Sequence, residues 1–360
     1  MRKDENAKTN GAEFFAAVNS GVGFVSFYGE IFGRANILRR YLIKGGPGTG
    51  KSTLMRRIAD EAEGRGMRVE YYRCSSDPSS LDGIIINGCV AVIDSTAPHI
   101  VEAELAGARD VIVDLGAFWN SNGLYQERDS IKTFSDDKRH SYALAYRFLS
   151  SAMQSDIASR ELLLPYVDKK RISRLVKRLT REIGGDGGYE CKIGISNAIG
   201  MKGRCSLDTY SSLAERVVSI EDHYGIGYLV LCEICESARN KGCKIAVSYE
   251  PLCPDLPNSV FFTESKTLFT LCQERKKGAT SLRRMLDISV LSKNEKKVLR
   301  AESRNAKRIS EALVSAAIDE LKKAGDAHFK LEEIYRSYMD FAALDSYSAC
   351  LVEKILDFAE

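Results

Sequence analysis

Residues 41–55 read YLIKGGPGTGKSTLM, a short apolar run, a glycine-rich loop and the start of a helical pattern. The loop fits G-x-x-x-x-G-K-[ST] from Gly45 to Ser52. Tyr41, Leu42 and Ile43 suit a buried strand, and Leu54, Met55, Ile58, Ala59 and Ala62 recur on one face of a helix that Gly64-Arg65-Gly66 stops. Such a strand, loop and helix N-terminus make an anion site, because backbone N–H groups wrap a phosphate and the helix dipole adds positive potential. The expected contacts run from Gly45 through Gly46, Pro47, Gly48, Thr49 and Gly50 to Lys51, Ser52 and Thr53. Lys51 is placed to reach the β- and γ-phosphates of a nucleoside triphosphate and Ser52 to ligate Mg²⁺.

A Mg²⁺-nucleotide site also needs a carboxylate at the end of a neighbouring buried strand. VAVID ends at Asp94 and VIVD at Asp114, while CSSDPSSLDG offers Asp77 and Asp82. Ser95, Thr96 and His99 follow Asp94 as candidate sensors of the γ-phosphate. An aspartate closing a strand also serves as a turn former or helix cap, and a lone histidine is more often structural than catalytic.

The second half echoes the first. In SIEDHYGIGYLVL (219–231), Leu231 falls on Leu54 and Tyr228 on Lys51 (231 − 54 = 228 − 51 = 177), with Gly225 and Gly227 on Gly48 and Gly50. One residue is then lost, so that Gly242 falls on Gly66 and Val260 on Ile84 (242 − 66 = 260 − 84 = 176). This predicts a tandem duplication of α/β P-loop NTPase-type domains, each a mainly parallel sheet flanked by helices with an α-helical tail. The expected boundaries are 1–183, a GGDGG linker at 184–188, and 189–360. The second loop is disarmed: Tyr228 replaces the lysine, Leu229 the magnesium serine, and Asp222 stands where Gly45 stands in the first.

The degenerate copy sorts the candidates in the first. Asp94 becomes Thr270, Asp77 becomes Cys253 and His99 becomes Arg275, whereas Asp114 meets Asp287 and Asp168 meets Asp340. Asp94 is therefore the preferred metal carboxylate, with Asp114 the alternative, and Asp77 a candidate for positioning water. The same register puts Cys232 and Cys235 on Met55 and Ile58, the buried helix face, which argues for core packing rather than metal binding.

Net charge is +3, from 52 basic and 49 acidic residues, and gives no field for a nucleic-acid or membrane partner. No apolar run approaches the ~18 residues of a membrane span, and the polar MRKDENAKTN start is unlike a signal peptide, so a cytoplasmic chain with reduced thiols is expected. The tails carry amphipathic helices, KKRISRLVKRLTR (169–181) and a stripe at Ile309, Leu313, Ala316, Ala317 and Leu321. They offer faces for packing the halves together, for self-association or for a protein partner. The basic side of 169–181 reads first as a solvated face.

SFYGEIF (26–32), KGGPGTGKSTLM (44–55), CSSDPSSLDGIII (74–86), VAVIDSTAPH (90–99), DLGAFW (114–119) and YMDF (338–341) resemble a family of bacterial tandem P-loop ATPases or nucleoside triphosphatases. The resemblance spans most of the chain and implies ATP or another nucleoside triphosphate with Mg²⁺. The family's second half often carries its own lysine loop, and this sequence departs there.

The expected activity is a slow or partner-stimulated Mg-ATPase, with Lys51, Asp94 and Asp77 as its catalytic residues and Ser52 and Asp94 at the metal. A nucleotide-dependent switch without turnover and a small-molecule kinase remain as alternatives, because no Glu follows Asp94 to activate water.

Overall fold

The computed structural model describes residues 11–222, 224–272, 280–282 and 293–360. Asp287 and Arg275, used above for comparison, lie outside them. The chain is mixed α/β, with two parallel-rich sheets flanked by helices.

The first half runs β1 (Ala12–Phe15), β2 (Ala17–Ser20), β3 (Gly23–Ser26), α1 (Tyr28–Phe32), β4 (Arg39–Lys44), α2 (Lys51–Gly64), β5 (Val69–Arg73), β6 (Leu81–Ile86), β7 (Val90–Asp94) and β8 (Asp110–Asp114), then α3 (Ser121–Gln126), α4 (Arg128–Leu163) and α5 (Lys169–Leu179). The second runs β9 (Glu190–Ile193), β10 (Asn197–Gly200), β11 (Gly203–Ser206), α6 (Thr209–Leu213), β12 (Arg216–Glu221), α7 (Tyr228–Asn240), β13 (Lys244–Tyr249), β14 (Pro257–Phe262), β15 (Thr267–Cys272) and β16 (Thr280–Leu282), then α8 (Lys293–Ser337) and α9 (Phe341–Ala359).

The two six-stranded sheets have one order: β1-β5-β6-β7-β4-β8 and β9-β13-β14-β15-β12-β16. In each, the central hairpin partners pair antiparallel and the strands at both sides pair parallel. β4 carries the apolar run Tyr41-Leu42-Ile43, buried on both faces between β7 and β8, as a central strand of a covered parallel sheet must be. α2 buries Leu54, Met55, Ile58, Ala59 and Ala62 against this sheet, the face its periodicity predicts.

Ladder pairing corrects the repeat register at two places. Ile43 pairs with Asp94 and Ile220 with Leu271, so the counterpart of Asp94 is Leu271 rather than Thr270 (220 − 43 = 271 − 94 = 177). In α7 the buried residues are Val230, Leu231, Ile234 and Ala238, matching Leu54, Met55, Ile58 and Ala62 (230 − 54 = 238 − 62 = 176). The missing residue thus belongs to the loop before the helix. Cys232 is exposed, because the one-residue shift turns it about 100° off the core face, whereas Cys235, in the place of Ala59, is half-buried and packs against the second half's core as expected.

The tails cross between the halves. α9 lays Leu344, Leu351, Val352, Ile355 and Leu356 into the core of α2 and the first sheet. α5 lays Ile172, Val176 and Leu179 into the core of α7 and the second sheet, with Arg174, Lys177 and Arg178 exposed. Asp168 and Asp340 are equivalent helix N-caps, accepting from Arg171 N at 3.0 Å and Ala343 N at 3.0 Å. α4, 36 residues long, packs along α8, 45 residues long, through rows that include Ala145, Leu149, Ala152, Val314, Ala317 and Leu321. Ile309, expected on the buried face of α8, is exposed, since the row facing inward runs Ser303, Ser310, Val314, Ala317.

Hairpins cross as well. Gly21 N donates to Leu252 O at 3.0 Å, and its counterpart Met201 N donates to Ser76 O at 3.0 Å. Phe15 N donates to Ile195 O at 2.8 Å, joining residues that sit at the same offset as Gly21 and Met201 (195 − 15 = 201 − 21 = 180).

Ile355 is fully buried in the first half's core although it lies near the C-terminus. Ile355→Ala is expected to cost about 2–5 kcal/mol. Native-state hydrogen exchange checks it: protection should fall in α2 and β4 more than in α7.

Candidate functional site

The glycine loop leaves β4 and turns back over the start of α2. Gly48 (φ +69°) and Gly50 (φ +86°) occupy the left-handed region that side chains disfavour. A Cβ at Gly48 would sit 2.5 Å from the Glu332 carbonyl of α8, so the second half's long helix passes directly over the loop. Gly46 lies under Trp119 and Tyr335, whose rings meet at 5.4 Å.

Lys51 opens α2 and folds back over the loop. Its Nζ donates to Gly45 O at 2.9 Å and Gly46 O at 2.8 Å and lies 3.7 Å from Asp94 Oδ2. Both side chains are largely buried. Asp94 ends β7 and accepts from Thr96 N at 2.9 Å, while Thr96 Oγ1 donates to Gly45 O at 3.0 Å. Ser52 Oγ accepts from Leu81 N at 3.1 Å. Thr49 Oγ1 donates to Gly46 O at 2.9 Å and fixes the loop from within. Pro47 is half-buried in the loop, and Thr53 lies on the exposed side of α2.

The other candidates separate by geometry. Asp114 is exposed and caps the turn at 115–118 through Gly116 N at 2.8 Å, a structural role. Asp77 accepts from Ser79 Oγ at 2.7 Å and pairs at 2.9 Å with Lys202, which comes from the turn between β10 and β11. Burial alone would raise its carboxyl, but the hydrogen bonds from Ser79 and Lys202 hold it below the usual carboxylate range. Ser95 Oγ donates to Val101 O at 2.5 Å, closing the loop after β7. His99 stacks on Tyr28 with centroids 5.1 Å apart and comes within 3.6 Å of Asp82.

Several residues near the loop were not anticipated. Glu332 is held below its ordinary pKa by a hydrogen bond from His328, which outweighs its partial burial. Lys138 of α4 donates to His328 Nδ1 at 3.2 Å, and burial lowers its pKa. Lys202, Lys138 and Glu332 belong to elements packed across the two halves, so no local motif announces them. Chain neighbours of the glycine loop were legible; spatial neighbours were not.

The equivalent loop of the second half is filled by its own carboxylate. Asp222 Oδ1 accepts from Tyr224 N at 3.2 Å and Ile226 N at 3.2 Å, and Oδ2 from Gly227 N at 2.9 Å. These are backbone donors of the kind that hold a phosphate in a glycine loop. A cavity of about 540 Å³ opens beside it, lined by Arg160, Arg204, Asp222, Tyr228 and Glu250 among others. Arg160 Nε donates to Gly225 O at 3.0 Å, tying α4 to this loop.

Comparison of the chain with family models, curated proteins and solved structures gives no match.

Asp222→Ala leaves three loop N–H groups without their acceptor, and urea unfolding is expected to show a loss of about 1–3 kcal/mol. Added sulfate should recover part of that loss by occupying the freed amides; unchanged stability would mean the amides find other partners.

Proposed function

We propose that the chain is a Mg-dependent nucleotide-binding protein of P-loop NTPase type, built by tandem duplication, with its working site in the first half. The observation that carries this reading is the set formed by Lys51, Asp94 and the left-handed glycines at one helix N-terminus. Lys51 lies over a glycine loop at a helix N-terminus, the kind of element whose backbone donors hold an anion, and Asp94 provides the carboxylate at the end of the adjacent strand. The donors on hand, the Ser52 hydroxyl and the Asp94 carboxylate, are hard oxygens of the kind Mg²⁺ takes. When bound, Mg²⁺ would neutralise charge on the β- and γ-phosphates. Lys51 would exchange its loop carbonyls for phosphate oxygens, and Thr96, tied to both Asp94 and Gly45, would hold the strand end against the loop.

The matched strand orders and the constant offsets along equivalent strands support duplication. The resemblance of CSSDPSSLDG and DSTAPH to tandem P-loop ATPases supports hydrolysis of ATP as the reaction. Lys202 reaches Asp77, the candidate for positioning water, from the other half. A second reading, a nucleotide-dependent switch without turnover, is favoured by one feature. The position after Asp94 is Ser95, whose hydroxyl is engaged with Val101 O, so that strand end supplies no base for water.

Phosphate release from Mg-ATP and Mg-GTP, with calorimetric binding alongside, tests both. Lys51→Ala is expected to abolish turnover and to weaken nucleotide binding at least tenfold, through loss of charge-assisted bonds. Tight binding without turnover selects the switch; no binding by the intact chain overturns the proposal.

A further inference from the structure

In the first half, one strand and two strand-end loops bring Cys74, Asp82 and His99 together. One ligand atom from each lies within 4.8 Å of the other two. Cys74 follows β5, Asp82 is buried within β6, and His99 follows β7, so the strand order β5-β6-β7 itself assembles the cluster. His99 is held in place by Tyr28, stacked on it, and by Phe24 at its edge.

The carboxylate at the cluster's centre is unsatisfied: Asp82 Oδ2 and the neighbouring Tyr28 hydroxyl are buried and have no hydrogen-bond partner among the described residues. His99 Nδ1 is unpartnered as well, but it lies on the other side of the ring from the Nε2 that faces Asp82 and adds nothing to the case for an ion there. Asp82 is only 4% exposed, and a carboxylate oxygen so enclosed is costly without a counter-charge. The 3.6 Å between His99 Nε2 and Asp82 Oδ2 is too long for a hydrogen bond. It suits two ligands of one ion: tetrahedral bonds of about 2.0–2.3 Å put ligand atoms about 3.3–3.8 Å apart.

The second half gives an internal control. Ladder register sets Cys74 on Glu250 and Asp82 on Asn258 (250 − 74 = 258 − 82 = 176). There Asn258 Nδ2 donates to Glu250 Oε2 at 3.1 Å, a pair that satisfies itself and carries no sulfur ligand. The counterpart of His99 lies outside the described residues.

We infer that Cys74, Asp82 and His99 form a binding site for a divalent transition metal of the zinc class. A thiolate, an imidazole and a carboxylate select such an ion over Mg²⁺ or Ca²⁺, which take oxygen ligands. Three protein ligands leave a fourth position for water or substrate, as in catalytic rather than structural zinc sites. The inference does not depend on the nucleotide reading, since loading needs no nucleotide.

The test uses the full chain, stripped with a chelator, loaded with Zn²⁺ or Co²⁺ without nucleotide, and desalted. The expected result is about one metal per chain, with Co²⁺ giving thiolate charge-transfer absorption. Cys74→Ser should abolish that absorption, while Cys205→Ser, at a cysteine outside the cluster, should leave it. Asp82→Asn and His99→Gln should each weaken metal binding at least ~100-fold, beyond what loss of a supporting residue costs. Circular dichroism checks that each variant folds; should Cys74→Ser fail to fold, His99→Gln with cobalt carries the test. No retained metal, or a cobalt spectrum unchanged in Cys74→Ser or His99→Gln, overturns the inference and leaves buried water or a bare Asp82–His99 ion pair.

Discussion

Each sheet is covered by a helix from the other half, and the site depends on that exchange. α9 completes the core over α2, and α5 completes the core over α7, so neither half closes its own apolar layer. An apolar helix face left uncovered would cost roughly 25 cal/mol for each Å² exposed. Packing α4 against α8 follows from the same crossing and brings Glu332 and Tyr335 over the glycine loop. The roof of the first half's loop is therefore made by the second half. Gly48 has no room for a side chain for that reason as much as for its backbone conformation, and at Gly46 a Cβ would press on the Trp119 and Tyr335 rings at 3.2 Å.

On this shared scaffold the two loops differ in sign. In the first, a lysine ammonium group lies against loop carbonyls beside Asp94. In the second, a carboxylate takes three loop amides for itself. The difference needs few changes, because both loops join equivalent strands to equivalent helices. Asp222 does more than repel an anion: it occupies the donors an anion would use. The second half supplies the cover for the first half's loop and brings Lys202 to Asp77.

The glycine loop and the α2 face were legible because both are local: four fixed residues, and a 3.6-residue period. The alternation of strands and helices was legible for the same reason, and Asp168 and Asp340 stood out together because both cap helices. One-residue shifts were not. The sequence aligns Cys232 with Met55, yet a residue lost before α7 turns Cys232 out to solvent while Cys235 still reaches the core. Thr270 stood in for Leu271 because strand pairing, which sets that register, is invisible in one chain. An amphipathic helix such as 169–181 declares an apolar face without declaring which sheet it covers. The Cys74, Asp82 and His99 cluster escaped for a related reason: its residues come from a strand and two loops with no metal-motif spacing, and only the β5-β6-β7 order joins them.

The proposed nucleotide site lies in the first half alone, beneath the second half's α8. Hydrogen exchange of the intact chain with and without saturating Mg-nucleotide tests it most directly. New protection is expected at residues 45–54 and in the stretch of α8 around Glu332 and Tyr335, with none at 222–228. Protection at 222–228, or none at 45–54, would contradict it.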